Sequence, residues 1–167
     1  MITRAAKLLL LCGIALFYTL VVFNNLTDFD SNYQFVRHVL MMDTTLPGNH
    51  GMWRALPLPA EHLAFYIGII AWEIVTMALL WLGAWRLLRA LRASAAEFHR
   101  AKQAAIAALT LSMLMWLVAF LSVGAEWFLM WQSRTWNGQE TAFRIFTVVG
   151  IVLIFLAQDE GHCPSGT

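Results

Sequence analysis

Four stretches of the chain are almost continuously apolar, at about 5–23, 63–85, 104–131 and 142–157, with polar passages between them. Each comes near the ~20 residues with which a helix crosses the hydrocarbon of a bilayer. The pattern predicts an all-α membrane protein, a four-transmembrane-helix antiparallel bundle built as a single domain from residues 1–167. The passages at 86–103 and 132–141 are short, which leaves 24–62 as the one sizeable aqueous segment. Within it, "SNYQFVRHVLMM" sets Phe35, Val36, Val39, Leu40 and Met42 at a spacing compatible with one amphipathic face. Ser31 or Asp30 is placed to cap its start. The outer loop 24–62 is therefore expected to hold a short amphipathic helix over the mouth of the bundle. "LPGN" (46–49) then turns the chain and "LPLP" (56–59) breaks it before the second span.

Composition agrees. The chain is 60% hydrophobic with a mean hydropathy of +0.65, against roughly 45–50% apolar content in soluble domains. A net charge of +1, with no basic cluster beyond the loop joining spans two and three, argues against nucleic acid as a partner. "MITRAAK" before "LLLLCGIALFYTLVV" looks like the start of a signal peptide, but the apolar run is long and no cleavage site precedes "FNNLTD". A retained first helix is expected. Cys12 and Cys163 make no plausible disulfide framework, and Cys12 reads as a small packing residue.

Charge sets the orientation, because short cytoplasmic loops carry the excess of Lys and Arg. Arg4 and Lys7 precede the first span, and Arg86, Arg89, Arg92, Arg100 and Lys102 fill the loop between spans two and three. The other loops hold only Arg37 and Arg54, then Arg134. Both termini are thus expected in the cytoplasm, with loops 24–62 and 132–141 periplasmic. The basic stretch serves as a topology signal, and anionic headgroups are a further contact for it.

Charged groups inside hydrocarbon are costly and by default face the bundle interior. Glu73 lies about ten residues into span two, roughly 15 Å deep and near mid-bilayer. It shares a helical face with His62, Tyr66, Ile69 and Thr76. No Lys or Arg lies at that depth, so a hydrogen-bonded carboxyl is expected, with Thr19, Tyr18 or Ser112 as partner. Glu126 falls only ~7–8 Å below the outer surface if span three ends near Trp131. Arg144 matches that depth on the next helix, which predicts a Glu126–Arg144 ion pair. Trp53, Trp127, Trp131 and Trp136 suit the outer interface, and Trp81 and Trp85 the inner one. Trp72 and Trp116 read as packing, an aromatic cage being the alternative use of these indoles.

Chemistry is sparse. His38 and His62, with Asp43 or His50 nearby, form the one arrangement that suggests haem b or a metal, and no spacing there is diagnostic. No metal site and no catalytic residue is assigned, and no phosphate loop, dinucleotide turn, Cys cluster or nucleophile elbow occurs. The lack of internal repetition argues against a stand-alone secondary transporter.

The strings "FNNLTDFDSNYQFVRHVLMMDTT", "MWRAL", "IIAWE", "GAWRLLRA" and "EWFLMWQSRTWNGQ…AFR" span nearly the whole chain. On them the protein resembles a bacterial family of predicted small integral membrane proteins, DUF2165. The resemblance implies a four-helix inner-membrane protein and no particular activity. It draws attention to Asn24, Asn25, Asp28, His38, Asp43, Trp53, Arg54, Glu73, Glu126, Trp127 and Arg144. The expected role is a non-catalytic accessory or interaction subunit of a larger membrane complex, in contact with the lipid bilayer and with other membrane-protein subunits or a homo-oligomer. The alternative is a ligand-binding or catalytic bundle for a quinone, lipid or haem, with its site under the outer cap near Glu73, His62 and Glu126. The ligand-binding or structural polar candidates are Glu73, His62, Tyr66, Thr76, His38 and Asp43, and no resident cofactor is expected.

Overall fold

The computed structural model describes residues 1–159. His162 and Cys163 lie outside the described residues, as do the C-terminus and with it the Cys12–Cys163 reading. Among the described residues the chain is helical and strands are absent. In order come α1 (Ile2–Thr27), α2 (Phe29–Met41), α3 (Pro59–Ala90), α4 (Ala95–Leu114) and α5 (Gln139–Ala157). Between α4 and α5, Met115–Trp127 continues α4 as a π-helix. Single 3₁₀ turns occupy Met52–Arg54 and Met130–Gln132. Four helices are long and apolar enough to cross a membrane: α1, α3, α4 with its π segment, and α5.

Local sequence explains the ends. Pro59 opens α3, where its missing N–H costs nothing, and Glu61 accepts from the Leu58 N–H at 3.2 Å. Ser94 and Glu97 form a reciprocal capping box at the start of α4, Glu97 accepting from Ser94 N at 3.0 Å and Ser94 Oγ from Glu97 N at 3.3 Å. The amphipathic helix expected in 24–62 is α2. It starts at Phe29, directly after α1, and Ser31 donates to the Asp28 carboxylate at 2.9 Å in place of capping the backbone. Val36, Val39, Leu40 and Met42 are buried as the spacing required.

The spans form a ring in the order α1, α3, α4, α5. Arg4 reaches Leu91 and Ala93 beyond the end of α3, while Asn25 reaches Glu73, so α1 and α3 are antiparallel. Lys7 and Lys102 both meet Gln158, which sets α5 antiparallel to α1 and α4. One end of the bundle is therefore basic and the other carries α2, here called the cap end. The core runs along the ring axis through Leu11, Ala15, Tyr18, Leu80, Ala84, Leu109, Met115 and Val149. Cys12 packs half-buried against it.

Toward the basic end α3 and α4 lie in close contact. A Cβ on Gly83 would stand 2.8 Å from Ala105 Cα, so only glycine permits this approach. Toward the cap end α3 parts from the π segment, and α2 with the 3₁₀ turns fills the opening. Span lengths differ as well: α3 has 32 residues and α4 with its π segment 33, against 26 for α1 and 19 for α5. The long pair projects past the short pair at the cap end, and the site described next lies in that step.

Candidate functional site

Apolar residues at i, i+3 and i+4 turn one face of α3 inward, and His62, Tyr66, Glu73 and Thr76 on that face are all buried, with Ile69 half-buried between them. Glu73 Oε2 accepts from Asn25 Nδ2 at 2.6 Å. The Tyr66 hydroxyl donates to Asn25 Oδ1 at 3.1 Å, so a Tyr66–Asn25–Glu73 chain joins α3 to the end of α1. Glu73 therefore bonds Asn25 and none of the three expected partners. The Tyr18 hydroxyl is 2.7 Å from Ser112 Oγ and accepts from Trp116 Nε1 at 3.0 Å. Thr19 donates to its own helix at Ala15 O and accepts from Trp81 Nε1 at 3.0 Å.

Within the bundle Glu73 stands level with the last residues of α1 and the first of α5, because the long α3 projects past both.

A cavity of about 380 Å³ opens beside Glu73. Asn24, Asn25, Asn32, Asn137 and Thr141 supply its polar lining, and Phe35, Phe120 and Trp116 an aromatic side. Among the described residues no Lys, Arg or His lines it, and Glu73 is the one ionisable side chain there. A second cavity, of about 550 Å³, lies between α2, the projecting part of α3 and the π segment. Its lining is apolar, including Val39, Ala64, Gly68, Trp72, Ala119 and Val123. The two cavities share Phe35, Val36, Ile69 and Phe120. Phe65 and Val118 of the larger cavity are exposed, so it opens on the side of the bundle where α3 and the π segment diverge.

The π segment makes this wall. Phe128 N donates to Val123 O at 3.0 Å, five residues back, and Ser122 Oγ donates to Leu117 O at 2.9 Å with the same offset. Such helices are rare, and short ones occur frequently at functional sites.

The remaining sequence candidates lie elsewhere. His38 Nδ1 donates to Asp43 at 2.8 Å and its ring stacks on Trp136, with centroids 4.7 Å apart. His62 Nε2 donates to the Leu56 carbonyl at 2.7 Å, and its buried Nδ1 has no partner. The two histidines are thus engaged separately, and His50 is exposed. Among the described residues no group of three His, Cys, Asp or Glu side chains is placed to hold a metal ion.

The predicted Glu126–Arg144 pair is not formed. Arg144 instead pairs with Glu140 one turn away on α5, and both are exposed. The π-helix ends at Trp127, not Trp131, which puts Glu126 in the last turn and out at the surface. The cation at that terminus is Arg54, whose guanidinium donates to the Trp127 carbonyl at 3.1 Å and lies over the Trp53 and Trp127 rings.

Sequence reading missed Asn25 as the partner of Glu73, and with it Asn32, Asn137 and Thr141. The signal was present in "FNN" and "WNG", asparagines that flank the ends of two apolar runs on the same side of the bundle. It also missed Lys7 and Lys102, buried cations that both donate to Gln158 O at 2.7 Å beyond α5. Their long apolar stems let them lie among core residues while the ammonium groups meet backbone carbonyl.

Fold and site together define a small integral membrane protein with four candidate spans and a paired polar and apolar chamber under its cap end. The family model described as "Predicted small integral membrane protein (DUF2165)" matches residues 3–159, and the chain belongs to that family. No curated protein and no solved structure matches it.

Proposed function

We propose that the protein is an intramembrane binding protein for an amphipathic, lipid-like molecule drawn from the bilayer. The observation that carries this reading is the pair of adjoining cavities, one apolar and the other with a polar side beside Glu73, that share one set of lining side chains. Their sizes fall within the roughly 300–1,000 Å³ of small-molecule sites. The apolar part of the ligand lies in the larger cavity, reached through the gap between α3 and the π segment. Its polar part lies beside Glu73 and the asparagines. By the distribution of Lys and Arg, the cap end is periplasmic and the basic end cytoplasmic, in the inner membrane of a bacterium.

The test is mass spectrometry of small molecules carried by the full chain after gentle detergent extraction. A variant meant to fill the cavity, Gly68→Phe, serves as control, since Gly68 lines the larger cavity and a Cβ there meets nothing within 4 Å. The wild type is expected to retain an amphiphile that Gly68→Phe loses at unchanged thermal stability. Equal retention by both, or none by either, would refute the reading.

A second reading is the accessory subunit of a larger membrane complex. Trp53, Trp127 and Trp131, all exposed at the cap end, support it as a surface for another membrane protein. A stoichiometric protein partner in the same preparation would favour it.

A further inference from the structure

The chemistry of the smaller cavity narrows the ligand, on the reading that the chamber binds an amphiphile. Glu73 keeps Oε2 on Asn25, while Oε1 accepts no hydrogen bond and is not sealed off. Among the described residues every other polar group on the lining is a neutral amide, hydroxyl or indole, so no cation there compensates an anionic ligand. Burying a phosphate or carboxylate beside Glu73 would set like charges together in a poorly solvated place. A cation meets the opposite situation, because an intramembrane carboxylate without a basic neighbour gains from a positive charge brought to it.

The aromatic side of the cavity points the same way on separate grounds. Trp116 and Phe120 have ring centroids 4.7 Å apart, and Phe35 stacks on Phe120 at 6.5 Å, which makes a continuous π surface beside the carboxylate. A carboxylate next to aromatic faces is the arrangement that holds ammonium groups, through charge and through the ring quadrupole. The hydrocarbon tail then runs past Phe35 and Phe120, lining residues common to both cavities, into the apolar chamber.

We propose that the chamber selects an alkylammonium amphiphile, its cationic nitrogen between Glu73 and the Phe35–Phe120–Trp116 surface and its tail in the apolar cavity.

The experiment uses the full chain in nanodiscs of zwitterionic lipid. Tryptophan fluorescence is titrated with dodecyltrimethylammonium, dodecylamine, dodecanol and dodecyl phosphate, and Gly68→Phe supplies the background from simple partitioning. The two cations are expected to bind at least about tenfold more tightly than the alcohol, and the phosphate more weakly still. Glu73→Gln should abolish the preference while leaving the alcohol unchanged. The wild-type series decides alone if that variant does not fold. Equal affinity across the series, preference for the phosphate, or a cation preference that survives Glu73→Gln overturns the proposal. If the alcohol or phosphate binds in a manner that Gly68→Phe blocks, binding of an amphiphile stands and only the ammonium selectivity falls. If no compound exceeds the Gly68→Phe background, both fall together.

Discussion

Asn25 Nδ2 stands 2.6 Å from Glu73 Oε2, and the same amide accepts the Tyr66 hydroxyl through Oδ1 at 3.1 Å. One side chain at the end of α1 thus satisfies two buried groups on α3. Removing it strands both, and a buried polar group left without its partner costs about 1–3 kcal/mol. Asn25→Leu should lower stability by that order, whereas Tyr66→Phe, which removes a donor and leaves less behind, should cost about 1 kcal/mol. Thermal unfolding in detergent, read by circular dichroism, provides the comparison. An Asn25→Leu protein that melts with the wild type would mean that the chain of bonds does not persist in solution.

The close approach of α3 and α4 gives a second expectation. A Cβ on Gly83 would fall 2.8 Å from Ala105 Cα and 2.9 Å from Ala105 N, both backbone atoms that cannot swing aside. Gly83→Ala removes glycine's entropic cost in a helix, about 1 kcal/mol, yet forces the two helices apart along their contact. The overpacking term, typically 1–3 kcal/mol, should win, and Gly83→Leu should be worse. Gly13→Ala is the matched control, since a Cβ there meets nothing within 4 Å. Gly83→Ala melting above both the wild type and Gly13→Ala would contradict the packing argument.

The sequence made the spans and the inward face of α3 legible because hydrocarbon imposes a simple rule on composition and period. Leu11, Tyr18, Tyr66, Glu73 and Thr76 are all buried, while Leu9, Ile67 and Ile151 face outward. Helix lengths and ends were less legible. The π segment has no marker in "MWLVAFLSVGAEW", which reads as an ordinary apolar helix, yet it moves the end of the span from Trp131 to Trp127. The expected pairing of Glu126 failed for that reason, since the earlier helix end leaves its carboxylate at the surface. Partner choice failed because Asn25 lies far from Glu73 in sequence and only the antiparallel register of α1 against α3 brings them together.

Arg144 shows the consequence in energetic form. Paired with Glu140 on the exposed face of α5, it belongs to a surface i,i+4 couple and not to an interhelical lock. Exposed pairs of this kind contribute about 0.3–0.5 kcal/mol. Arg144→Ala should therefore change stability by no more than about 0.5 kcal/mol, and Glu126→Ala in the same background should add independently. A double-mutant cycle with coupling well above that size would restore the interhelical pair.

Arg54 is the cation that holds the end of the π-helix. Its guanidinium donates to the carbonyl of Trp127 at 3.1 Å, with that of Glu126 at 3.5 Å, and lies 5.1 Å from the Trp127 ring and 5.4 Å from the Trp53 ring. Those rings meet edge to face at 5.7 Å, so the charge is clamped between two indoles while it caps carbonyls that no helical N–H can reach. Charge at a helix C-terminus and the cation–π contacts together are worth about 1–2 kcal/mol. Arg54→Leu should lose that amount, and Arg54→Lys most of it, because an ammonium has no planar fork to lie between rings while donating to carbonyls. The tryptophan emission should shift to longer wavelength in both variants as the indoles separate. If Arg54→Lys retains wild-type stability and emission, the positive charge alone suffices at this terminus and the planar stacking geometry contributes nothing.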